Sequence, residues 1–435
     1  MPWRREVGPQ MRREAVLDQK TGSMDGEGEL DAGRSAALDR LISLVESAGS
    51  IESTTDKYFT NTRRIVDSNR SVTASYAVFM RRRIIAALEP AKRLLARYVP
   101  EAEVSTYYAE GALVPSEKKL LKIDVPFARM SEAETLLLQK VGFPCVCANN
   151  AFEMCRAVPY AAFIDMHARH ASGAEMNLLA AYGAAVGSDA ARKENPDVRG
   201  FTGSSQDLTA PLYGQKSGTG TMPHALVGYT DGDLVQALKY LAPILPEETP
   251  VIGLVDYRGL EISDSLAAAR WFYEEAKLQD EGRVFGVRLD THGARFAEGL
   301  DYDKSIDVVG EWMDIDGEYN IAEAVLGTRA FHLDVGNVIV DRVRRLLFGT
   351  GVSVASIINT RRQLDKAGYK QAQIVASSGF DLQKCQVIGA VKAPVDAIGT
   401  GSFLPGTLSE TYATADIIAY DGTKRVKVGR EFLYD

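Results

Sequence analysis

Cysteine is scarce in this 435-residue chain: Cys145, Cys147, Cys155 and Cys385 are too few and too irregularly spaced for a disulfide framework. Cys145-Val146-Cys147 lacks the two-residue spacer of a zinc knuckle. The apolar run from Gly142 to Ala148 around it contains no histidine, so these cysteines read as small buried hydrophobes in a reducing, cytoplasmic protein. Long hydrophobic runs are also missing. No stretch approaches the roughly 18 apolar residues of a bilayer span, and no secretory h-region is present, which predicts a soluble protein with no membrane partner. Nor is there an excess of positive charge: 50 Lys and Arg against 58 Asp and Glu leave a formal net charge of −8. That balance argues against nucleic acid as a partner, because phosphate backbones are held mainly by surplus cations. A small phosphorylated ligand stays open, since it needs only a few backbone N–H groups and local cations.

What is present is an ordinary globular composition, 46% hydrophobic and 25% charged, in a chain long enough for a large domain and a smaller one. Residues 1–33 mix Arg, Glu, Asp and Gly with little apolar periodicity and read as an extension without a packed core. Leu38, Leu41, Ile42 and Val45 recur at helical spacing over 36–48, with Gly49 as a stop. Residues 34–158 combine helices, such as 91–98 with Pro90 at its start, and extended segments such as 122–127, which predicts an α+β domain. From residue 159 to 404 the pattern becomes short apolar strand, polar or glycine-rich turn, amphipathic helix. Strands are expected at 251–255, 284–289, 373–376 and 395–398, and helices at 265–278, capped by Ser263, and at 352–366, stopped by Gly368. This alternation predicts a parallel sheet, and we read it as an irregular, TIM-like α/β barrel. A doubly wound sheet would place one glycine-rich loop after its first strand, not two after its last. Near the C-terminus, 417–420 and 426–428 flank Asp421-Gly422, a hairpin dipeptide. The hairpin is expected to carry residues 405–435 back to the first domain, making that domain discontinuous.

In a parallel barrel, chemistry gathers on the loops where strands end. Asp256 follows the first expected strand, Asp290 and Thr291 the second, Ser377-Ser378-Gly379-Phe380-Asp381 the third, and Gly399-Thr400-Gly401-Ser402 the last. Small residues in the two late loops let backbone N–H groups approach an anion, so Ser378, Gly379, Gly399, Thr400 and Gly401 form a candidate phosphate cradle. Either loop alone would equally suit a tight βα turn. The run from Gly218 to Leu226, Gly-Thr-Gly-Thr-Met-Pro-His-Ala-Leu, sets Pro223 at a helix start with His224 next to it. A single histidine there would ordinarily be a cap without chemistry.

Gly200-Phe201-Thr202-Gly203-Ser204-Ser205-Gln206 followed by GTGTMPHALVG resembles the paired signatures of nicotinate phosphoribosyltransferases, enzymes of the type II phosphoribosyltransferase fold. The similarity extends to Thr55-Asp56-Lys57-Tyr58-Phe59, Val255-Asp256-Tyr257, Val287-Arg288-Leu289-Asp290-Thr291 and both late loops, and so covers most of the chain after residue 51.

The resemblance implies a homodimer in which one subunit helps complete its neighbour's site. It also implies a reaction in NAD biosynthesis: nicotinate and phosphoribosyl pyrophosphate give nicotinate mononucleotide and pyrophosphate, coupled to ATP hydrolysis. His224 matches the histidine that becomes phosphorylated by ATP. Asp256 and Asp290 would serve the ribose hydroxyls and the developing positive charge, magnesium would bridge the pyrophosphate, and Ser204, Ser205, Arg288 and Thr291 would hold the ribosyl donor. A flat aromatic acid calls for stacking and a cation, which Tyr58, Phe201 and Arg169 would supply. Where the family has Phe-Gly and paired arginines, this chain has Phe163-Ile164-Asp165-Met166-His167-Ala168-Arg169-His170, so His167 or His170 stands in for the second arginine. Two alternatives remain: a relative acting on nicotinamide or another related ring, and a catalytically weak nucleotide-binding sensor or interaction protein.

Overall fold

A computed structural model describes residues 31–327, 337–402, 404–406 and 411–434. Most of the expected N-terminal extension, residues 1–30, lies outside the described residues. Asp31, Ala32 and Gly33 do not belong to an extension: Asp31 accepts from the Arg34 N–H and caps the helix Ala32–Ser47, which therefore starts earlier than its apolar periodicity suggests. Gly33 is required by packing, since a Cβ there would lie 2.5 Å from the Pro211 carbonyl oxygen.

The first sheet is antiparallel and draws on both ends of the chain. Thr73–Phe79 (β1), Glu103–Thr106 (β3) and Lys119–Pro126 (β5) join Thr414–Tyr420 (β12) and Thr423–Lys424 (β13) in the order β13-β12-β1-β5-β3. Ile84–Ile85 (β2) and Leu113–Val114 (β4) form a separate short pair. Because successive side chains of a strand point to opposite faces, β1 serves two cores. Ala74, Tyr76 and Val78 enter the main core, while Ala77 and Phe79 join Ile418 and Leu433 in a small cluster on the other face. Asp421 and Gly422 both have positive φ, as the tight turn between β12 and β13 requires. The outgoing strand is shorter and earlier than 426–428.

The second sheet is wholly parallel. Its strands are Ala162–Asp165 (β6), Gly200–Ser204 (β7), Val251–Leu254 (β8), Phe285–Leu289 (β9), Gln373–Ala376 (β10) and Ala397–Thr400 (β11), in the order β7-β6-β11-β10-β9-β8. Read round from β6, this is chain order with one opening, between β7 and β8: an α/β barrel cut at the connection 205–250. Its strands are buried nearly throughout, as parallel strands covered on both faces must be. Helices Leu234–Leu241, Glu261–Arg270 and Val354–Lys366 lie against β8, β9 and β10.

Several elements differ from their sequence patterns. Pro144 sits inside the 31-residue helix Phe127–Ala157, which crosses Ala174–Glu194 so closely that a Cβ on Gly187 would come within 2.0 Å of the Ala148 carbonyl oxygen. Ser263 is not the cap expected of it. The helix Glu261–Arg270 begins before it, and the Glu298 carboxylate accepts from the N–H groups of Ile262 and Ser263 at 2.8 Å, capping the helix from a distant loop. The last barrel strand runs two residues further than expected, so Gly399 and Thr400 belong to β11 itself.

Candidate active site

The carboxyl ends of β6 to β11 converge on one region, which the connection 205–250 enters with the segment 218–226. Pro223 precedes the short helix His224–Tyr229 and orients His224 towards the end of β8. There His224 Nε2 lies 3.0 Å from each carboxylate oxygen of Asp256. Asp256 is buried and His224 half-exposed, so the pair has an inner and an outer partner. A carboxylate only accepts, so Nε2 carries the proton of this contact, and in the neutral imidazole Nδ1 is then the nitrogen with a free lone pair. Tyr257 flanks the imidazole, with ring centroids 6.5 Å apart.

β9 delivers the second half of the site. Arg288 is buried; its Nη1 donates to Thr221 Oγ1 at 2.5 Å, its Nη2 lies 3.7 Å from Asp290 Oδ2, and its Nε has no partner among the described residues. Arg288 therefore ties the segment bearing His224 to the loop bearing Asp290. Burial lowers its pKa; the carboxylates of Asp290 and Asp256 oppose that shift, and Arg169 adds to it. The fields of Asp256, Asp290, Arg169 and Arg288 thus overlap.

The end of β6 supplies Asp165, His167, Arg169 and His170. Asp165 is buried, accepts from the His167 N–H at 2.8 Å and from Tyr213 Oη at 3.2 Å, and is pushed up to about 6 by burial. His167 Nδ1 faces the Gly401 carbonyl oxygen at 2.8 Å, and its Nε2 has no partner among the described residues. Burial lowers the pKa of His167, and burial followed by the Arg169 charge lowers that of His170. Both rings are held towards the neutral form, so Arg169 is the cation of this loop.

The structure thus brings together His224, Asp256, Arg288, Asp290 and Arg169. Other expected site residues are differently engaged. Phe201 is buried with its ring between Phe163 and Tyr213, at centroid distances of 5.3 and 5.9 Å, leaving no face for a ligand. The hydroxyl of Ser204 is 2.6 Å from that of Thr209, and that of Thr291 donates to the buried Glu261 carboxylate at 2.9 Å. Ser205 is exposed and its N–H donates to the Asp165 carbonyl. Thr400 donates its hydroxyl to the Phe380 carbonyl at 2.8 Å. Gly399 and Gly401 make room for Met166, since a Cβ would lie 2.6 Å from its sulfur or 2.5 Å from its carbonyl oxygen. Tyr58 stands exposed on the helix Lys57–Asp67, which packs on Phe127–Ala157.

Of the late loops, Ser378-Gly379 keeps features suited to an anion. Both residues have positive φ, and among the described residues their N–H groups have no partner. Beneath them lies Lys384, which the sequence reading overlooked. A lysine in the first turn of an otherwise uncharged helix, where the helix dipole disfavours a cation, was the available signal.

No family model matches the chain. Over 325 residues it is 24% identical to a nicotinate phosphoribosyltransferase of Mycobacterium tuberculosis, from strain CDC 1551 / Oshkosh and equally from strain H37Rv; the match spans 73% of this chain and 52% of the relative. The chain therefore spans about half the length of the curated relatives it matches. Among solved structures, a nicotinate-nucleotide pyrophosphorylase from Pyrococcus furiosus superposes with a TM-score of 0.60 at 23% identity, covering 93% of this chain and 81% of that one. Human nicotinic acid phosphoribosyltransferase superposes with a TM-score of 0.52 at 16% identity, covering 86% and 76%. The chain has the fold of these two solved proteins, and its sequence is similar to that of nicotinate phosphoribosyltransferases.

Proposed function

We propose that the chain is a nicotinate phosphoribosyltransferase, forming nicotinate mononucleotide and pyrophosphate from nicotinate and phosphoribosyl pyrophosphate with ATP as co-substrate, in NAD biosynthesis. The observation that carries this reading is His224 held on the Asp256 carboxylate, inside GTGTMPHALVG and at the carboxyl ends of the barrel strands. With Nε2–H on Asp256, the Nδ1 lone pair attacks the γ-phosphorus of ATP. The bond from that phosphorus to the bridging oxygen breaks and ADP leaves, while the carboxylate stabilises the positive imidazole. Asp256 thereby orients the nucleophile, and the ribose falls to Asp290.

In the second step the bond from the anomeric carbon to pyrophosphate breaks as the pyridine nitrogen bonds to that carbon. Asp290 stabilises the positive charge that develops, and Arg288 and Arg169 face the anionic groups. Because Arg288 also holds Thr221, the donor and the His224 segment share one cation. The described residues contain no group of three or more His, Cys, Asp or Glu fit to hold a metal ion. Magnesium is assigned to the substrate, as the counter-ion of the donor's pyrophosphate. The four cysteines are free and buried, which suits a reducing compartment, and no helix among the described residues is long and apolar enough to cross a membrane. We assign the protein to the cytoplasm, and to a homodimer in which Tyr58 reaches the partner's nicotinate site.

One observation favours a second acceptor. With His167 and His170 held towards neutrality, the β6 loop offers one full cation where a carboxylate would be matched by two. The test offers nicotinate, nicotinamide and quinolinate separately with phosphoribosyl pyrophosphate and magnesium, with and without ATP, and detects mononucleotide and pyrophosphate. Nicotinate turnover accelerated by ATP is expected. Product from nicotinamide alone would reassign the acceptor, and no product from any ring would leave a nucleotide-binding protein without this catalysis.

A further inference from the structure

The helix Leu382–Val391 carries Lys384 in its first turn, almost fully buried. Its Nζ donates to the Ser378 carbonyl oxygen at 2.8 Å and stands 4.2 Å from the centroid of the Phe380 ring. Burying an ammonium is costly unless surrounding groups compensate. The carboxylates nearest to Lys384 are engaged elsewhere: Asp381 caps the helix and pairs with Arg342, and Asp290 lies beside Arg288. Above the ammonium, Ser378 and Gly379 are consecutive residues in the left-handed region, with φ of 78° and 67°. For a serine that conformation costs about 1 kcal/mol or more and persists only when neighbours impose it. Lys384 supplies a constraint, because a Ser378 carbonyl drawn down to the ammonium fixes the Ser378–Gly379 peptide plane and turns the Gly379 N–H to the opposite side; among the described residues neither that N–H nor the Ser378 N–H has a partner.

We propose that Lys384 is a positioning residue for the phosphate end of the ribosyl donor, fixing the Ser378-Gly379 turn by its carbonyl and setting a buried positive charge behind it. The inference rests on the phosphoribosyltransferase reading and adds to it a residue that does not touch the substrate. Burial pulls the Lys384 ammonium down to about 8, against the opposing influence of the Asp381 and Asp290 carboxylates. The Cys385 thiol is itself pushed well above its ordinary value by burial and stays neutral. A bound phosphate dianion favours the charged ammonium, so binding should take up a proton at alkaline pH and weaken as pH rises through about 8.

The test is calorimetric titration of ribose 5-phosphate into the full chain between pH 7 and pH 9.5, for the wild type, Lys384→Met and Lys384→Gln, with circular dichroism to verify folding. The wild type is expected to bind and to weaken roughly tenfold or more across this range. Lys384→Met should bind on the order of tenfold to a hundredfold more weakly at pH 7, with no alkaline decline. Lys384→Gln, which can still donate to the Ser378 carbonyl but carries no charge, should fall between them at pH 7 and be equally flat. A folded Lys384→Met protein that matches the wild type in affinity and pH dependence overturns the inference while leaving the function intact. Failure of the wild type to bind ribose 5-phosphate overturns the phosphate cradle, and the inference with it.

Discussion

His224 turns Nε2 to a buried carboxylate while its side chain stays half-exposed. A lone imidazole near a helix start is uninformative, but an imidazole held by two carboxylate oxygens has a fixed orientation and a partner for positive charge. His224→Ala should therefore abolish acceleration by ATP while leaving slow, ATP-independent formation of mononucleotide, since Asp290 and the cations are untouched. Initial rates with and without ATP provide the measurement, and unchanged stimulation would remove His224 from the phosphoryl step. His224 and Asp256 were legible because an ordered run of residue types surrounds each. Phe201, Ser204, Thr291 and Thr400 were not. An aromatic ring or a hydroxyl near a glycine suits a ligand and a protein neighbour equally, and only the fold shows that Phe163, Thr209, Glu261 and the Phe380 carbonyl occupy those groups. Lys384 shows the reverse: its conflict with the helix dipole was visible, but its partner, the Ser378 carbonyl, was not.

Among the elements, strands with strong apolar runs were legible, whereas β6 and β7 were not. Each is short, β7 contains two glycines, and neither shows an alternating pattern. Pro144 similarly suggests a boundary, yet it lies within a helix whose packing outweighs the missing N–H. The crossing of that helix with Ala174–Glu194 depends on small residues, so Gly187→Val should overpack it by about 1–3 kcal/mol. Thermal unfolding should show a midpoint lowered by a few degrees, with the Michaelis constants of the surviving enzyme unchanged; an unaltered midpoint would mean that the helices separate freely. Glu110 joins the helix Ala174–Glu194 to the first domain, accepting from Tyr182 Oη at 2.6 Å and from the Leu88 N–H at 2.8 Å, and burial pushes it up to about 7. The native state then holds this proton more tightly than the unfolded chain does. The stability it contributes is complete below the ordinary carboxyl value and is lost as pH rises through about 7. Glu110→Gln, which cannot ionise, should gain thermal stability relative to the wild type between pH 5 and pH 8. Parallel melting curves at both pH values would show that Glu110 titrates in its ordinary range.

For the molecule as a whole, the opening between β7 and β8 is what admits the connection 205–250, and with it His224, to the ends of strands that would otherwise close on themselves. One expected contributor stays away from this centre in its own chain. Tyr58 is exposed on the helix Lys57–Asp67, and Ile65, two turns further on, shares its exposure and its face. A surface of this kind suits an isologous contact, which would carry Tyr58 to the partner's site while Arg169 remains in its own. Tyr58→Ala and Arg169→Ala should each reduce nicotinate turnover severely. If the two residues meet across a two-fold interface, mixing the variants and letting subunits exchange should form dimers with one site that contains both substitutions and one that contains neither. Random exchange then restores about one quarter of wild-type activity, because half of the dimers carry a single intact site. If Tyr58 acts within its own subunit, every site keeps one defect and mixing restores nothing, so the recovered activity reads the geometry of the assembly directly.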